Sequence, residues 1–231
     1  MTYAPMIYDW PTSCAPIDQI FWAGGQAIAG GMTLGGVSVE NPEPGGRATC
    51  SMNFAAFVDD DANRDASWLA SRIRNGNIMR VPLWETVQLV PADQIFGAAA
   101  DHFVETVDPF SDIPKTAWNP SVAFTAPAAK GSTTVVANMG DLGQVLREGH
   151  VIGYKAGSYD FAHVVMAVSY AGNVATATID PPLRRAIAVA DRMLLRPMML
   201  ATCANPSETI GTFTMGRTMR FGSAVFKEAL V

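Results

Sequence analysis

Apolar and polar residues alternate most cleanly over residues 47–58. Ala48, Cys50, Met52 and Phe54 oppose Arg47, Thr49, Ser51 and Asn53. A period of two with one apolar face predicts a half-buried strand. The period then changes. Ala62, Ala66, Leu69 and Ile73 recur at helical spacing with Trp68 beside them, which predicts a helix over residues 61–75 with Leu69 and Ile73 inward. Asp59, Asp60 and Asp61 suit its N-terminus, where acidic groups cap free N–H groups and complement the dipole. Arg72 and Arg74 fall in the last turn and are expected to face solvent or a partner, and Asn75-Gly76 supplies a left-handed stop. A strand follows at 78–83, where Pro82 suits an edge or a bulge.

Shorter signals fill the remainder. Residues 7–10 start a strand ended by Pro11, and 16–25 carry Ile17, Ile20, Phe21 and Trp22. Glycine pairs punctuate 27–39, as hairpin turns require. Residues 91–127 read as a long loop with Pro109, Pro114, Pro120 and Pro127, a length that suits a contact surface or an extension from the body. Strands are predicted at 132–137, 151–155, 161–170 and 174–180, the last two joined through Ala171-Gly172-Asn173, and then at 184–189 and 193–196. After Pro197, residues 198–203 form a strand, 205–208 a turn, and 212–218 with 221–229 a closing hairpin. The predicted fold is mostly β. Residues 1–90 and 197–231 form a β-sandwich with one packed helix, and 91–196 are an inserted small antiparallel barrel or sandwich.

Composition sharpens this picture. The 231 residues suit one or two domains, and only 16% are charged while 49% are apolar. Ordinary domains carry about 25% charged residues, so a surface covered by a partner is expected alongside the plainer reading of a large core. The net charge of -5 argues against nucleic-acid binding, which needs a basic face. Cys14, Cys50 and Cys203 lack metal or redox spacing and read as buried, reduced thiols of a cytoplasmic product. The N-terminus has neither the basic nor the apolar region of a secretory signal, and no apolar run approaches the ~18 residues that span a bilayer. A soluble chain without membrane insertion is the expectation.

Candidate chemistry is thin. His102, His150 and His163 are the only histidines. Asp160 with His163, or Asp101 beside His102, could be written as a catalytic pair, with Cys14, Cys50, Ser158 or Ser169 as nucleophile. Neither a GxSxG elbow nor an HExxH or HxH spacing accompanies them. His163 lies on the strand face shared by Phe161, Val165 and Ala167, where a core or groove histidine is the plainer reading. The Asp59–Asp61 run resembles the start of a calcium loop, but position twelve is Ala70, so helix capping is preferred. Glu105 and Asp108 sit in the long loop with nothing to bring them together as a glycosidase pair. Trp84, Trp118, Phe110 and Phe124 could form a sugar platform or serve as packing and interface anchors. Neither a catalytic residue, a cofactor nor a metal is expected.

The segment WLASRIRNGNIMRVPL (residues 68–83) resembles a unit of tail proteins from long-tailed phages that infect alphaproteobacteria. The pairing of GYKAG with IDPPLRR and an RP strand (153–197) and the terminal GRTMRFGSAVFKEAL (216–230) resemble them too. The layout is similar to that of the siphophage distal tail, or baseplate hub-adaptor, protein: a ring-forming N-terminal β-sandwich with one helix, and a peripheral β domain. Here the peripheral domain is inserted before the last ring strands. The resemblance implies a structural virion protein, a homo-oligomeric ring of six copies that joins the tail tube protein to hub, baseplate or fibre proteins at the tail tip. Head-to-tail closure needs two different complementary surfaces per subunit, and β edges can supply them. Arg47, Arg80 and Arg217 are the candidate ring-interface residues, and Phe110 and Trp118 the candidate peripheral contact loop. The alternative is a carbohydrate-binding module on a virion or cell-surface protein used for host attachment; a hydrolase built on His163 stands third.

Overall fold

A computed structural model describes residues 6–11, 13–24, 27–32, 38–42, 46–83, 103–107, 114–118, 121–210, 213–214 and 218–229. The strands in chain order are β1 (Ile7–Asp9), β2 (Pro16–Trp22), β3 (Ala27–Met32), β4 (Ser38–Pro42), β5 (Thr49–Phe54), β6 (Ile78–Pro82), β7 (Phe103–Val107), β8 (Pro114–Trp118), β9 (Ser121–Phe124) and β10 (Thr134–Asn138). They continue as β11 (Val151–Ala156), β12 (Tyr159–Ala171), β13 (Val174–Asp180), β14 (Arg192–Leu194), β15 (Met198–Cys203), β16 (Phe213–Thr214), β17 (Thr218–Met219) and β18 (Ala224–Glu228). Helix α1 is Asp60–Arg74 and the single turn α2 is Pro206–Thr209. The chain is mostly β. It divides into two compact units, one made of Met1–Val81 with Met199–Val231 and the other of Pro82–Met198, so the breaks expected at 91 and 197 fall at Pro82 and Met198.

The first unit is built on a six-stranded sheet in the order β1-β6-β15-β18-β5-β2. Its register explains the alternation of residues 47–58. Cys50 pairs with Phe226 and Met52 with Ala224, and all four are buried, while Thr49, Ser51, Val225 and Lys227 keep the other face half-exposed or exposed. The buried side continues into an aromatic cluster. Trp10 meets Phe226 edge-on at 5.3 Å between ring centroids, and Phe221 meets Phe54 at 5.5 Å and Phe57 at 5.3 Å.

α1 buries Ala66, Leu69 and Ile73 of the stripe that helical spacing predicts and leaves Ala62 half-buried, with Ala70 buried as well. Asp59 is its N-cap but makes no side-chain cap bond, so the acidic opening acts through the charges of Asp60 and Asp61 on the dipole. At the other end Gly76 takes φ 65°, and its N–H and that of Asn77 close onto Ile73 O and Arg72 O. Arg74 is exposed as expected. Arg72 is not: its guanidinium lies 4.1 Å from the Tyr8 ring centroid and 5.2 Å from that of Trp68, because the aromatic faces offer a better site than a short reach into water.

The second unit holds a closed barrel, β10-β13-β12-β11-β14-β9. Val122, Phe124, Val135, Ile152, Tyr154, Phe161, Val165, Ile179 and Met193 belong to its core. β12 changes face in mid-strand. A register shift between Val165 and Ala167 turns Ala167 outward, so the expected inward row ends at Val165 and resumes at Val168 and Tyr170. Gly172, at φ 64°, makes the β12–β13 turn.

Four expectations are corrected. Residues 91–127 are not all loop: β7 and β8 pair as a hairpin, and β9 closes the barrel. Pro114 is tolerated there because it is the first residue of its strand. Residues 184–189 form only a single bridge, Ala128 with Ile187. The expected turn at 205–208 is α2, with Pro206 in the first helical turn, where a missing N–H costs nothing. Residues 212–218 do not pair with 221–229: β16 pairs with β17, and β18 lies between β15 and β5.

Candidate functional site

The histidine readings resolve first. His163 is buried in the barrel, with Nδ1 2.6 Å from the Pro181 carbonyl and its ring stacked 5.5 Å from Tyr154. A carbonyl only accepts, so Nδ1 carries the proton and Nε2 is left as a bare acceptor, buried and without a hydrogen bond. Burial, with Arg184 adding repulsion against the Pro181 bond, holds the His163 pKa down to about 4. Asp160 and His163 sit three residues apart on one strand, so their side chains leave opposite faces and form no pair. His150 lies at the barrel rim, accepts from Arg147 N at 3.2 Å, and has its pKa lowered by burial and Arg147. His102, Asp101, Asp108, Trp84, Phe110 and Arg217 lie outside the described residues.

The nucleophile candidates fare no better. Burial pushes the Cys14 thiol up to about 12, which leaves it un-ionised at neutral pH. Cys50 is fully buried, and Cys203, half-buried, lies 3.4 Å from Thr209 Oγ1. Ser158 and Ser169 are exposed at separate points of the barrel. Phe124 is a barrel-core residue, not part of a sugar platform. Glu105 lies on β7, and Trp118 is placed opposite Phe103 in the β7–β8 register. Among the described residues no group of three or more His, Cys, Asp or Glu side chains could hold a metal ion, and no helix is long and apolar enough to cross a membrane.

The feature that remains is the perimeter of the six-stranded sheet. β1 and β2 are its end strands, each hydrogen-bonded on one side only within that sheet. β2 bulges between Pro16 and Asp18 and then runs regularly against β5 from Asp18 to Trp22. Ile20 and Trp22 alternate onto its half-exposed face and are 51% and 45% exposed, and Ile17 at the bulge is 69% exposed. At the other end, Met6 is 64% exposed just before β1, next to Tyr8 with its Arg72 and Trp68 neighbours. Seven large apolar side chains are exposed among the described residues, and four of them, Met6, Ile17, Ile20 and Trp22, lie at these two ends.

The arginines chosen from sequence divide between the same ends. Arg80 lies on β6, beside β1, and its Nη1 donates to Asp9 at 2.7 Å. Arg47 is exposed just ahead of β5, which neighbours β2. They do not form one patch. Sequence reasoning missed β2 as a site because it weighed charges; the signal available was Ile17, Ile20 and Trp22 on a strand with no flanking lysine. Comparison with protein-family models and with curated proteins returns no match.

Proposed function

We propose that this chain is a structural protein that works by oligomeric contact and has no catalytic centre. In the form the resemblance implies, it is a ring at the distal end of the tail of a long-tailed phage, joining tail tube to hub or baseplate. The observation that carries the contact reading is the Ile17, Ile20 and Trp22 row on the end strand β2. Proteins that stay monomeric blunt such edges with lysine, proline or a bulge. Here Pro16 and the bulge come at the start of β2, and beyond them Asp18–Trp22 pairs regularly with β5 while Ile20 and Trp22 stay exposed. A chain with 16% charged residues has little else to keep two copies apart. Electron microscopy of particles containing the chain tests the finer reading: density at the tail tip supports it, and density confined to the capsid or fibres overturns it.

A carbohydrate-binding module is the second reading. Its support is the β7–β8 hairpin, whose register sets Trp118 opposite Phe103 on a small sheet of its own. Glycan-array binding by the isolated chain, lost in Trp118→Ala, would favour it over the ring.

A further inference from the structure

We infer that residues 181–191 form a strap closing one end of the barrel, latched by His163 and released in acid. This goes beyond the assembly reading and does not depend on it. The strap joins β13 to β14, which stand opposite one another in the ring of strands, with β12 and β11 between them on one side and β10 and β9 on the other. All the pairings are antiparallel, so β13 ends and β14 begins at the same end of the barrel. The connection therefore has to cross that mouth, and on the way it buries Leu183 and Ile187 in the barrel core.

Both walls hold the strap. On one, Leu183 N–H donates to Ser132 O at 2.9 Å, Gly131 N–H donates to Leu183 O at 2.8 Å, and Ile187 exchanges two main-chain bonds with Ala128. On the other, the tethers are side chains. The Tyr154 hydroxyl accepts from Arg185 N and donates to Arg185 O, both at 3.1 Å, and the Arg185 guanidinium lies 3.8 Å from the Tyr159 ring centroid. The remaining tether is the His163 Nδ1 bond to Pro181 O. It is the one that can change state. Nε2 is buried and without a hydrogen bond among the described residues, so a proton there is a charge in an interior built of Ile152, Tyr154, Phe161 and Val165.

The surrounding groups do not offset that charge. Tyr154 of β11 stacks on the ring as a neutral phenol, and Arg184 of the strap repels it. Asp160 leaves the opposite face of β12, and Lys130 and Lys155 at this end are exposed and also positive. Asp180, the last residue of β13, has its pKa raised by burial against the pull of Arg184, so acid removes its charge above the usual carboxylate range and leaves Arg184 without it. Opening the strap admits water to Nε2 and takes Arg184 away, so the protonated ring favours the open state. Burial holds the His163 pKa at about 4 in the closed state, against 6.5 when solvated. Closure is therefore complete above pH 6.5 and weakens as the pH falls to 4, with the opening equilibrium rising about a hundredfold over that range. The open barrel presents Tyr154 and Phe161 to solvent, a surface that is closed at neutral pH.

Hydrogen exchange on the full chain tests the latch, with each rate referred to the intrinsic rate at its pH. From pH 7 to pH 4 the protection of the Leu183, Arg185 and Ile187 amides is expected to fall about a hundredfold, in step with the His163 ring titration followed by NMR in the same sample. At each pH these amides should exchange faster than those of the β12–β13 ladder and respond little to low urea, as a local opening does. His163→Phe should lower strap protection at pH 7 and make it independent of pH down to 4. Asp180→Asn should keep the pH dependence. Strap and ladder amides that share one protection and one urea dependence would overturn the strap, because His163 would then act only on global unfolding. Strap exchange that does not follow the His163 titration, or that loses its pH dependence in Asp180→Asn, would overturn His163 as the latch.

Discussion

In the barrel of Pro82–Met198 every strand has two neighbours, and in the six-stranded sheet β1 and β2 have one each. The barrel strands come from a contiguous stretch, all six of their pairings are antiparallel, and three join strands adjacent in sequence. The sheet draws strands from both sides of that stretch. The same alternation of apolar and polar residues therefore serves two purposes. Closed on itself it makes a core in which every strand is paired on both sides; in the open sheet β1 and β2 are paired on one side only within that sheet.

The comparison can be broken most forcefully at the helix. Leu69 is fully buried, so Leu69→Ala should destabilise the first unit by about 2–5 kcal/mol, depending on how far the cavity collapses. Hydrogen exchange should show the loss in β5 and β18 amides and leave β10–β13 protected; equal loss in both would mean that the units unfold as one.

The barrel has a pH limit of its own. His163 has its pKa lowered from 6.5 to about 4, so the folded state favours the neutral ring and the unfolded chain takes the proton first. Its contribution is complete above pH 6.5 and is lost as the pH falls toward 4, in all about 3 kcal/mol at 1.36 kcal/mol per pKa unit. Chemical denaturation at pH 7 and pH 4 measures it. His163→Phe should flatten the slope in that window, and an unchanged slope would assign it to other groups.

Packing in the barrel gives a smaller effect. A Cβ on Gly153 would lie 2.8 Å from Pro197 Cβ and 2.9 Å from Phe161 O, so Gly153→Ala should cost about 1–3 kcal/mol by overpacking. A thermal melt that does not move would show that Pro197 gives way freely. Smallest is the stacked arginine: Arg72→Leu should cost about 0.5–1 kcal/mol of stability in the monomer. A larger effect on assembly than on folding would extend the contact reading from β2 to the β1 end.

What could be read from the chain followed the length of each signal. Residues 47–58 and α1 carry uninterrupted periods of two and 3.6, and both elements lie within a few residues of their expected bounds. β7, β8 and β9 were hidden by prolines, of which Pro114 sits where a strand tolerates one, at its first residue. The place of β18 could not be read, because one of its two partners, β5, lies more than a hundred residues earlier in the chain, beyond the whole barrel sequence. Arg47 and Arg80 fall near the sheet ends, but which strands form those ends depends on long-range order that no local pattern carries.

β18 occupies the middle of the sheet between β15 and β5, yet the ribosome makes it after the whole barrel. At about 5–20 residues per second, β5 waits on the order of ten seconds or more for that neighbour. By the end of that interval the barrel sequence is complete, while β5 still lacks its neighbour on one side. The nascent chain thus passes through a stage in which Cys50 and Met52 lack the strand that pairs beside them, and chaperone demand should peak there and end with the synthesis of Ala224–Glu228.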